Sequence, residues 1–325
     1  MFAFIIRRLL QGLLVMLVVA LIAFTLFRFV GDPVNQMVGL ETGPAERERL
    51  RQELGLNDPI VVQLGRFVWD AVHLNFGISF QFKKPVLELI AERFPATVEL
   101  TVIATLFALA LGIPMGVHTA LYRHSLLSNV FLTVSLLGIS LPTFLIGILL
   151  IFLFPVSLGV LPSFGRGEVR DLGYWTTGLL TESGLKAIIL PAVTLGLFQT
   201  ALIVRLVRSQ MQEVLRTDYI KFARARGLTA RTVNFGHALK NTLVPVITVV
   251  GLQFGSILAF AIVTETVFQW PGMGLLFLKA AQNADVPVMS GYLLLVSFIF
   301  VAINLIVDLL CATIDPRIRT AMRAG

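Results

Sequence analysis

The sequence predicts an all-α membrane protein with six transmembrane helices and cytoplasmic N- and C-termini. Three observations carry this. Of 325 residues, 56% are hydrophobic and only 14% charged, against about 25% charged in a soluble domain. The apolar residues gather in long runs, each near the ~20 residues a helix needs to cross the hydrocarbon core. Lysines and arginines gather in short segments beside those runs, where basic loops are retained on the inner side. The net charge of +7 is thus spent on orientation toward a lipid bilayer, and no nucleic-acid partner is expected.

The chain opens MFAFIIRRLL, with Arg7 and Arg8 before an apolar run from Leu9 to Val30. The run is too long for a signal-peptide core and no small-x-small cleavage site follows. Residues 1–30 are therefore expected to be an uncleaved first span with its N-terminus inside.

Residues 31–96 are the one substantial polar segment, with seven Lys/Arg and nine acids. Loops of this length escape the charge rule, so a small helical periplasmic domain is expected. Pro44 opens a helix that Gly55 closes. Asp58 and Pro59 cap and start a second, with Ile60, Leu64, Phe67, Val68 and Ala71 on one face. A third is expected to run from Pro85 through Arg93.

The core, residues 97–314, contributes five spans near Leu100–Leu121, Val130–Phe154, Ala187–Val204, Leu243–Val263 and Met289–Ile314. Pro114 and Pro142 should bend their helices. Gly112-x-x-x-Gly116 and Gly251-x-x-x-Gly255 have the spacing at which helix backbones approach closely, within this subunit or at a dimer seam. Arg123 marks an inside loop, and Arg317, Arg319 and Arg323 mark residues 315–325 as a cytoplasmic tail. The outer loops 155–186 and 265–288 carry three Lys/Arg and one.

Within the loop 205–242, residues 205 to 240 hold eight Lys/Arg and two acids, Glu213 and Asp218. On a helix from Asp218, Tyr219, Ile220, Phe222 and Ala223 share one face, with Lys221 and Arg224 opposite. Gly227 sits where a glycine can end a helix with φ > 0. Thr229 then caps a second helix running to about Asn241. Two readings are open: a solvated connector on the lipid surface, or an aromatic face offered to a partner's groove.

After the fifth span comes ETVFQWPGMG. Glu265 is expected at the external boundary, and Pro271, Gly272 and Gly274 should form a tight turn. Phe268 and Trp270 would suit the interfacial aromatic belt. Asp308, with Asn304 one turn earlier, is the deepest acid. It is either a structural contact for a neighbouring helix or a group on a transport path. Cys311 is the only cysteine, which excludes disulfides within the chain and reads as a small buried hydrophobe.

Catalytic motifs are absent: there is no G-x-S-x-G, H-E-x-x-H or phosphate-binding G-x-x-x-x-G-K-[ST]. His73, His118, His124 and His237 form no metal-spaced pair. No catalytic or metal site is expected, which disfavours an intramembrane hydrolase. An ion-coupled secondary transporter would place ionisable pairs at the midplane, and only Asp308 approaches that.

The segment ARARGL with HALKN resembles the cytoplasmic "EAA" loop of permease subunits of binding-protein-dependent ABC importers, in the dipeptide/oligopeptide/nickel branch. The likeness extends to RRLLQ at the start, ERFPATVELT (92–101), LGVLPSFG (158–165), LPAVTLGL (190–197) and DPRIR (315–319). The family's Glu-Ala-Ala falls on Lys221, Phe222 and Ala223, and its glycine on Gly227; only Ala223, Gly227 and Leu239 fit the general pattern. The resemblance implies the type I ABC importer permease fold in the bacterial inner membrane. It implies import of di- or oligopeptides, with nickel, glutathione or other solutes as alternatives. A second permease subunit, usually non-identical, two ATPase subunits and an extracytoplasmic binding protein are the implied partners. ATP and Mg would be bound by the ATPases, with no cofactor in this subunit. Asp218, Tyr219, Phe222, Ala223, Gly227, His237 and Asn241 become the expected ATPase-coupling residues. Glu265, Phe268, Pro271, Gly272 and Gly274 become the external end of the path.

Overall fold

The computed structural model describes residues 2–29, 34, 43–53 and 55–314. The tail of residues 315–325, with Arg317, Arg319, Arg323 and DPRIR, and the side chain of Cys311 lie outside the described residues. Among the described residues, five helices are long and apolar enough to cross a membrane, and a bent pair makes up to six. The chain divides into two compact units, one of Met1–Pro95 with Pro271–Ala302, the other of Ala96–Trp270 with Ile303–Gly325.

In the first unit, α1 (Phe2–Phe29) carries the first apolar run behind Arg7 and Arg8, with Arg28 in its last turn. Leu9, Leu10, Leu13 and Leu14 face outward, as suits a helix solvated by lipid. A Cβ on its Gly12 would lie 2.7 Å from Val301, so the bare backbone permits close approach to the last helix. Two short helices follow, α2 (Pro44–Glu53) and α3 (Ile60–Val72). Gly55, at φ +64, closes α2 as its position suggests. Asp58 does not cap α3: its carboxylate takes a hydrogen bond from Arg66 at 2.8 Å instead. Phe67, Val68 and Ala71 pack beside Ala20 and Ala23 of α1, whereas Ile60 of the predicted face is exposed.

The expected separate helix from Pro85 is not found. Helix α4 (Val86–Leu121) runs for 36 residues, straight through from the polar segment into the second span. Nothing in ERFPATVELT breaks it, because Pro95 falls inside an established helix and surrenders one backbone bond there. The first-unit part of α4 places Val86, Leu89 and Ile90 against α11 (Met273–Gln282) and α12 (Val286–Ile314), through Met273, Leu276, Ala280, Val288, Met289 and Tyr292. Asp285, fully buried, accepts hydrogen bonds from Ser79 Oγ and the backbone N–H groups of Phe80 and Gln81. This latches the loop before α4 to the start of α12.

In the second unit the third predicted span is two helices, α5 (Leu126–Ser140) and α6 (Thr143–Ile151), the latter extended by a π-helical turn over Phe152–Leu158. They meet at 107°. The cause is Pro142, which drives Leu141 into an extended conformation (φ −95, ψ 136). A two-residue hairpin pairs β1 (Arg170–Asp171) with β2 (Thr176–Thr177) in the following loop. Helix α7 (Glu182–Val214) then spans 33 residues, opened by Thr181, whose hydroxyl accepts from Gly184 N. Gly112 and Gly116 of α4 meet Ile203 and Val207 of α7, where an added Cβ would come within 2.7 and 2.6 Å. The small-residue spacing therefore serves packing inside this subunit. Gly251 does the same against Val307.

Candidate functional site

The basic segment begins with α8 (Asp218–Ala225). Its apolar residues divide between two directions rather than forming one free face. Ile220 (0% exposed) and Ala223 enter a cluster with Val117 and Ala120 of α4, Val207 and Met211 of α7, and Val233, Ala238 and Val246 beyond. Phe222 is 65% exposed and Tyr219 also faces outward. The periodicity places all four on one side of a helix, but only the second and fifth of Tyr219-Ile-Lys-Phe-Ala223 point into the protein. Ala223 is thus a residue of this subunit's own core, while Tyr219 and Phe222 remain available. Arg226 lies 5.9 Å from the Phe222 ring, placing a cation beside the exposed aromatic.

Asp218 at the helix start suits the positive end of the dipole. The Lys221 ammonium donates to its carboxylate at 2.8 Å and lowers its pKa from the usual 3.8, by hydrogen bonding first and charge second. The helix ends with Gly227 at φ +78. Gly227 N donates to Arg224 O and Leu228 N to Ala223 O, the paired bonds of a Schellman turn. Thr229 Oγ1 accepts from Thr232 N, so it caps the next helix as its position suggests.

That next helix does not stop near Asn241. A π-helical stretch, Thr232–Ala238, passes directly into α9 (Leu239–Phe260). No breaker stands between Asn241 and the fifth span, and Pro245 is absorbed inside α9. Asn241 Nδ2 donates both to the Tyr219 hydroxyl and to the His237 carbonyl. Of the predicted coupling residues, the structure therefore joins Tyr219, His237 and Asn241 directly. Asp218 and Phe222 lie exposed on the same short helix.

The segment after the fifth span departs from expectation. Phe268 and Trp270 are not interfacial anchors but among the most buried side chains of the second unit. Trp270 Nε1 donates to Ala96 O at 2.9 Å, and the Phe268 ring lies against Gly147. An indole buried deeply needs its N–H satisfied, and the carbonyl supplies that. Glu265, on α10 (Ile262–Val267), is also fully buried and accepts from Thr97 Oγ1 at 2.6 Å. In the first unit, Gly272 precedes α11 while Gly274 lies inside it, so Pro271 and Gly272 make the turn without Gly274. Asn304 and Asp308 are half-buried on α12, and Asp308 is engaged in an interaction.

One arrangement escaped the sequence reading. Arg166 Nη2 and Glu99 Oε2 pair at 2.6 Å, with side chains 6% and 5% exposed. Trp175 Nε1 donates to Glu99 Oε1, Gly178 N to Glu99 Oε2, and Arg166 also donates to Thr176. The pair fastens the loop of residues 159–181 to α4. A glutamate inside an apolar run was its only signal, and the partner lies 67 residues away.

These features are those of a multi-pass membrane protein whose basic segment is built into the packing of its spans. A model described as "Binding-protein-dependent transport system inner membrane component" matches residues 112–320, and one described as "Binding-prot-dependent transport system membrane comp, N-term" matches residues 1–101. The dipeptide transport system permease protein DppB of Escherichia coli K12 is 42% identical over 342 residues, covering 98% of this chain and 99% of that protein. DppB of Alkalihalophilus pseudofirmus is 39% identical over 332 residues, covering 98% and 100%. Among solved structures, the inward-facing MetNI methionine ABC transporter aligns with a TM-score of 0.55 at 18% identity, over 70% of this chain and 97% of that one; this likeness concerns the fold alone. The chain belongs to the family of inner membrane components of binding-protein-dependent transport systems, the permease subunits of ABC importers.

Proposed function

We propose that this chain is a non-catalytic permease subunit that moves di- or oligopeptides across the bacterial inner membrane, driven by ATP hydrolysed on separate subunits. The peptide assignment rests on relatives named for dipeptide and peptide transport at 39–42% identity over nearly the whole length. The carrying observation for coupling is the construction of α8. Ile220 roots it among α4, α7 and α9, while Tyr219 and Phe222 stand outside. A partner groove closing on Phe222 can push α8 only by moving the spans that hold Ile220, because close-packed cores transmit displacement. The short exposed helix is thus a lever between an ATPase and the transport path.

In this reading the N-terminus, residues 205–242 and the tail are cytoplasmic, and residues 31–96 are periplasmic. A second homologous permease, most simply a non-identical one, completes the path, and an extracytoplasmic binding protein delivers the peptide. ATP and Mg belong to the two ATPases. Glu265, Phe268, Pro271, Gly272 and Gly274 frame the external end. Asn304 and Asp308 are intramembrane polar groups toward the inner end of α12, where a structural contact to a neighbouring helix is their simplest role. The test is reconstitution of the chain with the permease, ATPases and binding protein encoded beside it. Uptake of labelled dialanine should require ATP and all subunits. Uptake of nickel or glutathione instead would move the substrate assignment, and flux by the lone chain would replace this reading with ion-coupled transport.

A further inference from the structure

Helix α7 carries a second polar device that the lever does not use. Its residues Val204, Val207 and Met211 are buried, while Arg205, Arg208, Ser209 and Gln212 line a cavity of about 410 Å³ with Leu132, Ser135 and Leu136 of α5. The spacing of those four α7 residues puts them on one helical stripe, immediately after the apolar run that ends at Val204. Among the described residues, no side-chain hydrogen bond or ion pair holds Arg205, Arg208, Ser209 or Gln212. Two guanidiniums at the end of a membrane-crossing run, with no carboxylate and three neutral hydrogen-bonding neighbours, make a receptor for an anion. Guanidinium forks match phosphate oxygens in pairs.

The apolar surroundings identify the source of that anion. Within the recess itself, Leu132 and Leu136 of α5 stand beside the arginines, and Leu136 is exposed, an apolar strip adjoining the cationic groups. A soluble anion would use the recess and leave the strip bare, whereas an amphiphile fits both. Basic pockets between transmembrane helices are suited to anionic headgroups. We propose that Arg205 and Arg208, with Ser209, Gln212 and Ser135, bind the phosphate headgroup of an anionic phospholipid whose acyl chains lie along α5. The lipid would occupy the crevice between α5 and α7, and so hold the bent third span against the helix that leads to the lever.

The test uses the assembled importer, purified in detergent and titrated with dioleoyl phosphatidylglycerol or dioleoyl phosphatidylcholine under native mass spectrometry. The anionic lipid should be held at least about tenfold tighter. Each arginine should contribute about fivefold, so Arg205→Ala/Arg208→Ala should lose most of that preference. Arg123→Ala/Arg170→Ala, the same loss of charge at exposed sites elsewhere, should keep it. Millimolar inorganic phosphate should not displace the lipid. If it does, the site takes a soluble anion and the lipid assignment falls. Equal binding of the two lipids by the wild-type importer, as when a partner subunit covers the arginines, overturns the proposal without any variant. Undiminished preference in the double-arginine variant overturns it as well.

Discussion

Asn241 Nδ2 donates to the Tyr219 hydroxyl at 2.9 Å, joining α8 to the start of α9 across 22 residues. Both residues are exposed, and a hydrogen bond in water is worth only about 0.5–1.5 kcal/mol net. The bond orients the short helix. Its attachment comes from Ile220, whose side chain has no contact with solvent.

Ile220→Ala should therefore destabilise the subunit by about 2–5 kcal/mol, the usual cost of a buried isoleucine or leucine truncation. Tyr219→Phe should cost under about 1.5 kcal/mol. Thermal unfolding of the solubilised importer separates them. Equal losses would mean that α8 is not rooted in the core, and the lever would have no fulcrum.

Phe222→Asp should leave the unfolding of the subunit itself nearly unchanged while abolishing ATPase co-purification and dipeptide uptake, because the ring is exposed in the lone subunit and the proposed lever needs it against a partner. Lys221→Ala should be close to silent. Its pair with Asp218 is exposed and screened. The depressed Asp218 pKa means that any stability from the pair is present above pH 3.8 and lost as pH falls through the lower folded value, so none is lost on acidifying from neutrality to pH 5. Damage from Lys221→Ala with a silent Phe222→Asp would reverse the assignment of the face.

The spans were legible because burial in lipid demands long apolar runs, and Gly227 and Thr229 were legible because turn and cap chemistry is local. What failed was continuity. Prolines did not act alike: of the two expected to bend their helices, Pro142 bends the chain sharply while Pro114 lies, like Pro95, inside the continuous α4, and Pro245 is carried inside α9. A helix already nucleated on both sides tolerates the lost bond, whereas Pro142 follows the C-cap residue Leu141, whose extended backbone ends α5. The polarity of Glu99 was visible, but its pairing with Arg166 depends on tertiary structure. The same holds for Trp270, whose amphipathic ring suits a membrane interface or a core carbonyl equally well.

Gly227→Val should uncouple ATP hydrolysis from uptake at normal membrane abundance. A Cβ there meets no atom within 4 Å, so the penalty is purely conformational, about 1–3 kcal/mol for a branched residue at positive φ. Gly227→Asn should retain most uptake, since Asn enters this region more easily. Matched ATPase and uptake assays on both variants decide it. Equal failure of the two would point to a contact at this position rather than to the turn.

The proposed orientation predicts opposite labelling of Glu48→Cys and Thr229→Cys in a chain whose Cys311 is replaced by serine. An impermeant thiol reagent applied to cells with a permeabilised outer membrane should reach position 48 and spare position 229. Labelling at 229 but not at 48 would invert the subunit and place the lever on the wrong side for ATP.

Removing one member of the Glu99–Arg166 pair should be worse than removing both. Glu99→Leu leaves a buried guanidinium without its counter-charge, and Arg166→Met leaves a carboxylate to Trp175 and Gly178 alone. Each single variant should lose about 3–5 kcal/mol, while Glu99→Leu/Arg166→Met should recover a large part of that, since a buried pair owes much to mutual neutralisation. Glu99→Gln should lie between, because its carbonyl can still accept from some of the three donors, Arg166, Trp175 and Gly178. Thermal unfolding of all four variants gives the coupling directly, as the difference between the double variant and the summed singles. A double variant as unstable as that sum would mean the two side chains act independently, with the loop of residues 159–181 held by its other contacts.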